Sequence, residues 1–206
     1  MTRIKICGIT RIEDGIVCAR NGADAIGLVF YPPSPRHVVA SQAAAIAHAL
    51  PPFVTTVGLF VNPTVEQIEA ILKEVRLDVL QFHGDEPAEF CDAFGIPYLK
   101  AIRVKAGVDL VQCAIRYQKA QGLLLDAYVE GTPGGTGQSF DWDLIPHELP
   151  LPVILSGGLE PANVEDAVSR VRPWAVDVSS GVEASRGIKD AAKIAAFIKG
   201  VHSESV

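Results

Sequence analysis

The sequence predicts an α/β fold, a single (β/α)8 barrel formed by residues 1–206. Three observations predict it: eight short apolar runs recur along the chain, several intervening segments carry apolar residues at helical spacing, and no shift in composition divides the chain. A length of 206 residues fits one domain. Because such barrels more often need about 250 residues, we expect a compact version with short helices and loops.

The apolar runs are continuous rather than alternating in polarity, which is typical of parallel strands covered on both faces. In chain order they are Ile4–Ile6, Ala25–Phe30, Thr56–Val61, Val79–Phe82, Tyr98–Ile102, Leu123–Leu125, Val153–Leu155 and Ala175–Val178. Helices between them must supply the outer cover.

Three of the segments between strands show the helical spacing most clearly. Their apolar positions are Ile68, Ile71, Leu72 and Val75, then Val164, Ala167, Val168 and Val171, and finally Ala191, Ile194, Ala195 and Ile198. Thr64 and Gln67 predict a capping box at the start of the first of these helices, and Gly200 predicts the end of the last one.

The alternative to a barrel is an open, doubly wound sheet. That fold has an edge, usually has fewer strands, and is expected to carry a Gly-rich dinucleotide turn after its first strand. Residues 7–11 read Cys-Gly-Ile-Thr-Arg and do not match Gly-x-Gly-x-x-Gly. The strand count and this mismatch favour the barrel.

Charge and composition exclude several classes of protein. A net charge of −6 without clustered Lys or Arg argues against nucleic-acid binding. The chain contains no apolar run of about eighteen residues and no pattern typical of a signal peptide, so we expect a cytoplasmic protein without membrane contact. The four cysteines lack Cys-x-x-Cys spacing, so we expect reduced thiols and no metal site. Separately, we expect a monomer.

In a barrel of this class the active site lies at the carboxyl ends of the strands. Residues with useful chemistry follow six of the predicted strands. They are Cys7, Arg36, His83, Asp126, the turn Ser156–Gly157–Gly158 and the turn Ser179–Ser180–Gly181. All of them are expected on one rim.

The turns after the seventh and eighth strands predict a phosphate site. Tight glycine turns expose backbone N–H groups to an anion, and in these barrels this pair of loops commonly binds phosphate. Taken alone, each of Gly157, Gly158 and Gly181 is better explained by a simple change of chain direction. Two such turns at consecutive strand ends, with Ser179 and Ser180 beside the second, favour a phosphosugar ligand.

Cys7 and Asp126 are the candidates for acid–base chemistry. A cysteine ending a buried strand is commonly an inert, space-filling thiol, and an aspartate at a strand end can serve only as a cap or an ion-pair partner. Together across the mouth of a barrel, one thiol and one carboxyl group can divide the roles of base and acid.

Two further side chains are candidates for ligand contact. Arg36 follows a stiff proline-rich loop that can hold a guanidinium group for a second acid group, the alternative being a solvated surface arginine. His83 either contacts the substrate or caps the fourth helix. The glycine-rich segment of residues 130–140 is long enough to be a lid, or an ordinary mobile loop.

Several ordered segments resemble the phosphoribosylanthranilate isomerase family along nearly the whole chain. They are residues 5–10 (KICGIT), 27–30 (GLVF) with 34–36 (SPR), 57–62 (VGLFVN), 80–84 (LQFHG), 134–137 (GGTG) with 140–142 (FDW), 156–159 (SGGL) and 177–183 (DVSSGVE). Each segment is weak evidence by itself, but their order and spacing make a strong joint signal.

The resemblance implies an Amadori rearrangement of N-(5-phosphoribosyl)anthranilate to 1-(2-carboxyphenylamino)-1-deoxyribulose 5-phosphate, a step of L-tryptophan biosynthesis. It implies that Cys7 is the general base and Asp126 the general acid. By the same resemblance Arg36 holds the anthranilate carboxylate, and the turns after the seventh and eighth strands hold the phosphate. No cofactor or metal is required, because hydrogen only moves within the substrate.

Two rival functions remain at this point. One is the analogous isomerase of histidine biosynthesis, whose substrate carries two phosphates; that family resembles a design with aspartate, rather than Cys7, at the end of the first strand. The other is a non-catalytic barrel that only binds a phosphate ligand. Measured turnover separates the second rival from an enzyme.

Overall fold

Eight parallel strands form a closed barrel in the computed structural model, which describes residues 1–127 and 140–203. The strands are β1 (Arg3–Cys7), β2 (Ala25–Val29), β3 (Thr55–Phe60), β4 (Val79–Phe82), β5 (Tyr98–Val104), β6 (Gly122–Ala127), β7 (Val153–Leu155) and β8 (Ala175–Val178). Each strand pairs with the next along the chain, and β8 closes the ring on β1. The predicted barrel is confirmed, and each apolar run forms one of its strands.

Helices cover the outside of the barrel. Seven α-helices occur in the described residues: α1 (Ile12–Asn21), α2 (Ala40–Ala49), α3 (Val65–Glu74), α4 (Ala88–Cys91), α5 (Leu110–Arg116), α6 (Val164–Val171) and α7 (Ala191–His202). Between β6 and β7 the described residues contain only a 3-10 turn, Trp142–Leu144, because Pro146, Pro150 and Pro152 interrupt helical hydrogen bonding. No helix in the described parts is long and apolar enough to span a bilayer.

The alternation of side chains along each strand separates the core from the lumen of the barrel. On β1, Ile4 and Ile6 belong to the large apolar cluster between strands and helices. Lys5 and Cys7 face the other way, and the Cys7 side chain packs with Val29 and Leu59 near the carboxyl ends of the strands. On β1, Lys5 and Cys7 therefore bring an ammonium and a thiol into a buried lumen.

The predicted helix signals are partly confirmed. Thr64 and Gln67 form the expected capping box at the start of α3. The prediction that Gly200 ends the last helix is wrong, since α7 continues to His202. A β-carbon on Gly200 would lie 2.8 Å from the Val164 side chain, so this glycine lets α7 pack closely on α6. The buried positions of α7 are Ile194, Phe197, Ile198 and Val201, whereas Ala191 and Ala195 are exposed.

A short hairpin that the sequence did not predict lies between β8 and α7. Its strands are β9 (Glu183–Ser185) and β10 (Ile188–Lys189), which pair antiparallel. The backbone N–H of Lys189 donates to Asp14 on α1 at 3.1 Å, which fixes the hairpin to the barrel. This attachment carries the side chains of Glu183 and Lys189 to the end of β8.

Candidate active site

The predicted site residues all lie at the carboxyl ends of the barrel strands. Cys7 ends β1 and Asp126 is the penultimate residue of β6. His83 directly follows β4, and Arg36 lies in the loop after β2. The two predicted turns follow β7 and β8, so the rim rule for this fold holds throughout.

Asp126 and His83 are brought together across the strand between them. His83 Nε2 lies 3.1 Å from Asp126 Oδ2, and the Gln81 amide nitrogen lies 3.0 Å from His83 Nδ1. The second carboxyl oxygen of Asp126 accepts the backbone N–H of Ala127 at 2.8 Å. The side chains of Gln81, His83 and Asp126 are buried, so the carboxyl group is held in one orientation by these hydrogen bonds.

Cys7 occupies space left by the absence of a side chain on the neighbouring strand. A β-carbon on Gly27 would lie 2.6 Å from the Cys7 Sγ atom, so only glycine at this position of β2 admits the thiol as placed. On the other side, the Ser179 hydroxyl donates to the Cys7 carbonyl oxygen at 3.0 Å. This contact ties the end of β1 to the turn after β8. Burial raises the pKa of the thiol.

Arg36 forms a buried, bidentate ion pair with Glu183. Its Nε and Nη2 atoms donate to the two carboxylate oxygens at 2.7 and 2.9 Å. Lys189 Nζ donates to the same carboxylate at 3.0 Å and to the Ser179 carbonyl at 3.0 Å. Although burial acts to raise the pKa of Glu183, the Arg36 hydrogen bonds and the Lys189 charge lower it overall. The guanidinium plane is thus fixed at the rim.

The two predicted turns lie against each other. Gly157 and Gly158 both have positive φ angles, 84° and 66°, which glycine adopts without strain. A β-carbon on Gly181 would lie 2.0 Å from the Leu159 carbonyl oxygen, so the turn after β8 packs directly on the turn after β7. A β-carbon on Gly157 would also approach Asp126 Oδ1 to 2.9 Å. The turn after β7 therefore lies beside Asp126, and the turn after β8 packs on it from the other side.

Sequence reasoning missed four charged residues of this rim. Lys5 and Asp177 pair in the lumen at 2.8 Å, and their signal was a charge inside an apolar strand. Glu183 and Lys189 gave no comparable signal, because the hairpin that carries them has no strong strand pattern. Most of the predicted lid, residues 130–139, lies outside the described residues.

Known proteins share this sequence pattern and fold. The family model for N-(5'-phosphoribosyl)anthranilate (PRA) isomerase matches residues 4–200. The chain belongs to the phosphoribosylanthranilate isomerase family. An N-(5'-phosphoribosyl)anthranilate isomerase from Pseudomonas syringae pv. tomato is 62% identical over 200 residues, which cover 97% of each chain.

Solved structures of phosphoribosylanthranilate isomerases agree in fold. The crystal structure from Thermotoga maritima has a TM-score of 0.90 and 43% identity, with 100% of both chains covered. Another isomerase structure, in complex with reduced 1-(o-carboxyphenylamino)-1-deoxyribulose 5-phosphate, has a TM-score of 0.84 and 41% identity over 100% of both chains. The resemblance seen in the sequence is therefore confirmed, and the function it implies is that of this family.

Proposed function

We propose that the chain isomerises N-(5'-phosphoribosyl)anthranilate with Asp126 as general acid and Cys7 as general base. Membership of the isomerase family supports the reaction. The observation that carries the residue assignment is the buried Asp126–His83 pair, in which hydrogen bonds hold the carboxyl group at the rim of the barrel. Cys7 lies on β1, with β8 and β7 between it and β6, so a ligand in the mouth is flanked by both groups.

The chemistry divides into two proton transfers. Asp126 gives a proton to the furanose ring oxygen as the C1'–O bond breaks, and the anthranilate nitrogen forms a Schiff base with C1'. The Cys7 thiolate then takes the C2' proton. The electrons of the C2'–H bond form a double bond between C1' and C2', and the π electrons of the C1'–N bond return to nitrogen, which gives the neutral enolamine. Tautomerisation then moves one proton from the 2'-hydroxyl group to C1' through solvent and gives the ketone. A proton passes from the Cys7 thiol to the Asp126 carboxylate, also through solvent, which restores both groups.

The remaining groups bind the two acidic ends of the substrate. In this proposal the Nη1 side of the Arg36 fork receives the anthranilate carboxylate, because Glu183 already takes Nε and Nη2. The turns at Gly157–Gly158 and Ser179–Gly181 receive the phosphate through backbone N–H groups. His83 positions Asp126 and lines the ligand site. A second isomerase structure bound to a reduced product analogue supports this class of ligand.

The test is the time course of fluorescence loss when the purified protein meets freshly generated phosphoribosylanthranilate. We expect loss with the wild-type protein, and roughly 10²- to 10⁴-fold slower turnover with Cys7→Ala and with Asp126→Asn. Product binding and the circular dichroism spectrum should be retained by both variants. Absence of turnover by folded wild-type protein would contradict the proposed reaction, and nearly full activity of either variant would contradict its role.

The histidine-pathway substrate, assayed in parallel, separates the first rival function. Its turnover at a comparable rate would show a dual activity, whereas ligand binding without turnover of either substrate would indicate the non-catalytic barrel. We expect turnover of phosphoribosylanthranilate to dominate.

A further inference from the structure

A buried thiol is poorly suited to act as a base unless its ionised form is stabilised. The general base proposed above must be a thiolate when it takes the C2' proton, and the Cys7 side chain is buried. Burial acts against the charged form and raises the pKa of this thiol. A group that stabilises the thiolate is therefore required close to the Cys7 sulfur atom.

Lys5 is placed to be that group. It precedes Cys7 by two residues on β1, so both side chains face the lumen and Lys5 lies one layer below Cys7 along the strand. Lys5 pairs with Asp177 on β8 in the strand register, and its Nζ atom lies 2.8 Å from Asp177 Oδ1. The Lys5 charge acts to lower the pKa of the Cys7 thiol, although burial raises this pKa overall. One buried cation thus pairs with an acid on β8 and shares the lumen face of β1 with the proposed base.

The other charged groups near Cys7 already form hydrogen bonds with other residues. Lys189, on β10, donates to Glu183 and to the Ser179 carbonyl, and Glu183 is shared with Arg36. Burial lowers the pKa of Lys189. On the β2 side the neighbour of Cys7 is Gly27, which brings no charge.

Asp177 keeps Lys5 charged. Burial alone acts to lower the pKa of Lys5, but the adjacent Asp177 carboxylate and the Cys7 thiol outweigh it and raise the pKa overall. The ammonium consequently remains protonated through the neutral range. The Asp177 carboxylate in turn repels a thiolate, so the two members of the pair act on Cys7 with opposite signs.

We propose that Lys5 is a positioning residue that stabilises the thiolate of Cys7, and that Asp177 anchors Lys5 beneath it. This inference rests on the proposed role of Cys7 as general base. Lys5 itself exchanges no proton with the substrate. Its effect is to increase the fraction of enzyme in which Cys7 is ionised before substrate binds.

The experiment titrates Cys7 directly in substrate-free protein. Wild type, Lys5→Met and Asp177→Asn are alkylated with iodoacetamide across a pH series, and the Cys7 peptide is quantified by mass, which separates it from Cys18, Cys91 and Cys113. The pH profile of kcat is measured on the same preparations. Lys119→Met, which removes an exposed lysine charge far from this site, is the matched control.

Lys5→Met should move the alkylation midpoint upward by about one pH unit or more. At a pH below the midpoint, the variant would then contain about one tenth of the wild-type fraction of thiolate. The acidic limb of kcat should move with it, and activity should recover at higher pH. Asp177→Asn should move the midpoint downward, because the thiolate becomes the main counter-ion of Lys5. Lys119→Met should leave the midpoint at the wild-type value.

An unchanged midpoint in folded Lys5→Met overturns the inference, as does a fall in kcat by the same factor at every pH. If Lys5→Met does not fold, the Asp177→Asn midpoint decides: a downward shift supports the inference and no shift overturns it. Because alkylation needs no substrate, a failed inference leaves wild-type turnover intact, whereas failure of the proposed function appears as absent turnover by the wild-type protein.

Discussion

The imidazole of His83 and the carboxyl group of Asp126 are 3.1 Å apart, although 43 residues separate them in the sequence. The contact joins the end of β4 to the end of β6 across β5. Gln81 contacts the other ring nitrogen of His83, so the imidazole is held at both ends. We therefore expect the orientation and protonation of Asp126 to depend on His83.

Removal of His83 should impair catalysis more than substrate binding. A hydrogen bond to a charged group contributes about 1.5–3 kcal/mol, so His83→Ala should lower kcat roughly 10- to 100-fold with a smaller change in KM. Steady-state kinetics checks this, since the loss should appear in kcat rather than in KM. Equal kcat values for variant and wild type would show that His83 does not act through Asp126.

Loss of the Arg36 guanidinium should chiefly weaken substrate binding. Arg36→Ala removes the bidentate partner of Glu183 and the proposed contact with the anthranilate carboxylate, and KM should rise roughly 10- to 100-fold. Arg36→Lys should not restore it, because an ammonium lacks the planar fork. Full activity of the lysine variant would indicate that only the charge is needed.

A methyl group on Gly27 should displace the Cys7 thiol. The added β-carbon would lie 2.6 Å from Cys7 Sγ, so Gly27→Ala should lower kcat while the barrel stays folded. Gly15→Ala is the matched control, because its β-carbon would make ordinary contacts of 3.4 Å or more. Activity assays and circular dichroism compare the two variants, and equal activity would mean that the thiol relocates without loss.

A second buried ion pair should support the fold beside the site. Lys100 Nζ lies 2.8 Å from Glu86, which also accepts the backbone N–H of Gly84. Lys100→Met leaves the carboxylate unpaired and should lower the free energy of unfolding by about 3–5 kcal/mol. Arg103→Met, which breaks an exposed pair, should cost at most about 1 kcal/mol in the same urea denaturation. Similar losses in both variants would contradict the difference in burial.

Protonation of Glu183 should contribute to the loss of stability at acid pH. Its folded-state pKa is below the ordinary value, so its contribution is fully present above the unfolded pKa and is lost as pH falls through the folded pKa. The difference in unfolding free energy between wild type and Glu183→Gln should therefore shrink between about pH 6 and about pH 3. Urea denaturation at several pH values measures it; a constant difference would exclude this linkage.

The strands were predictable because a barrel strand is covered on both faces and must be apolar along its length. The end of α7 was mispredicted because Gly200 serves close helix packing, a requirement that comes from α6 and is invisible locally. Helix spacing likewise missed Phe197, whose burial depends on the neighbouring elements.

The position of the candidate site residues was predictable where a chemically reactive residue lies at a strand end, as Cys7 and Asp126 do. Their partners were not, since the pairing of Asp126 with His83, or of Arg36 with Glu183, depends on which strand ends the barrel brings together. The pairing of Lys5 with Asp177 could have been predicted, because a charge flanked by apolar strand residues needs a buried partner.

The Arg36–Glu183 pair spans 147 positions and joins the loop after β2 to the hairpin after β8. A fragment that ends before the last strands would carry the arginine without its counter-ion, and the complementary fragment would carry the glutamate with Lys189 but without the arginine. Each half of a split chain would then lack the complete ion pair that fixes the proposed anchor for the substrate. If mixing the two halves restored function, the result would show that the eight-stranded barrel had closed, and not only that each half had folded.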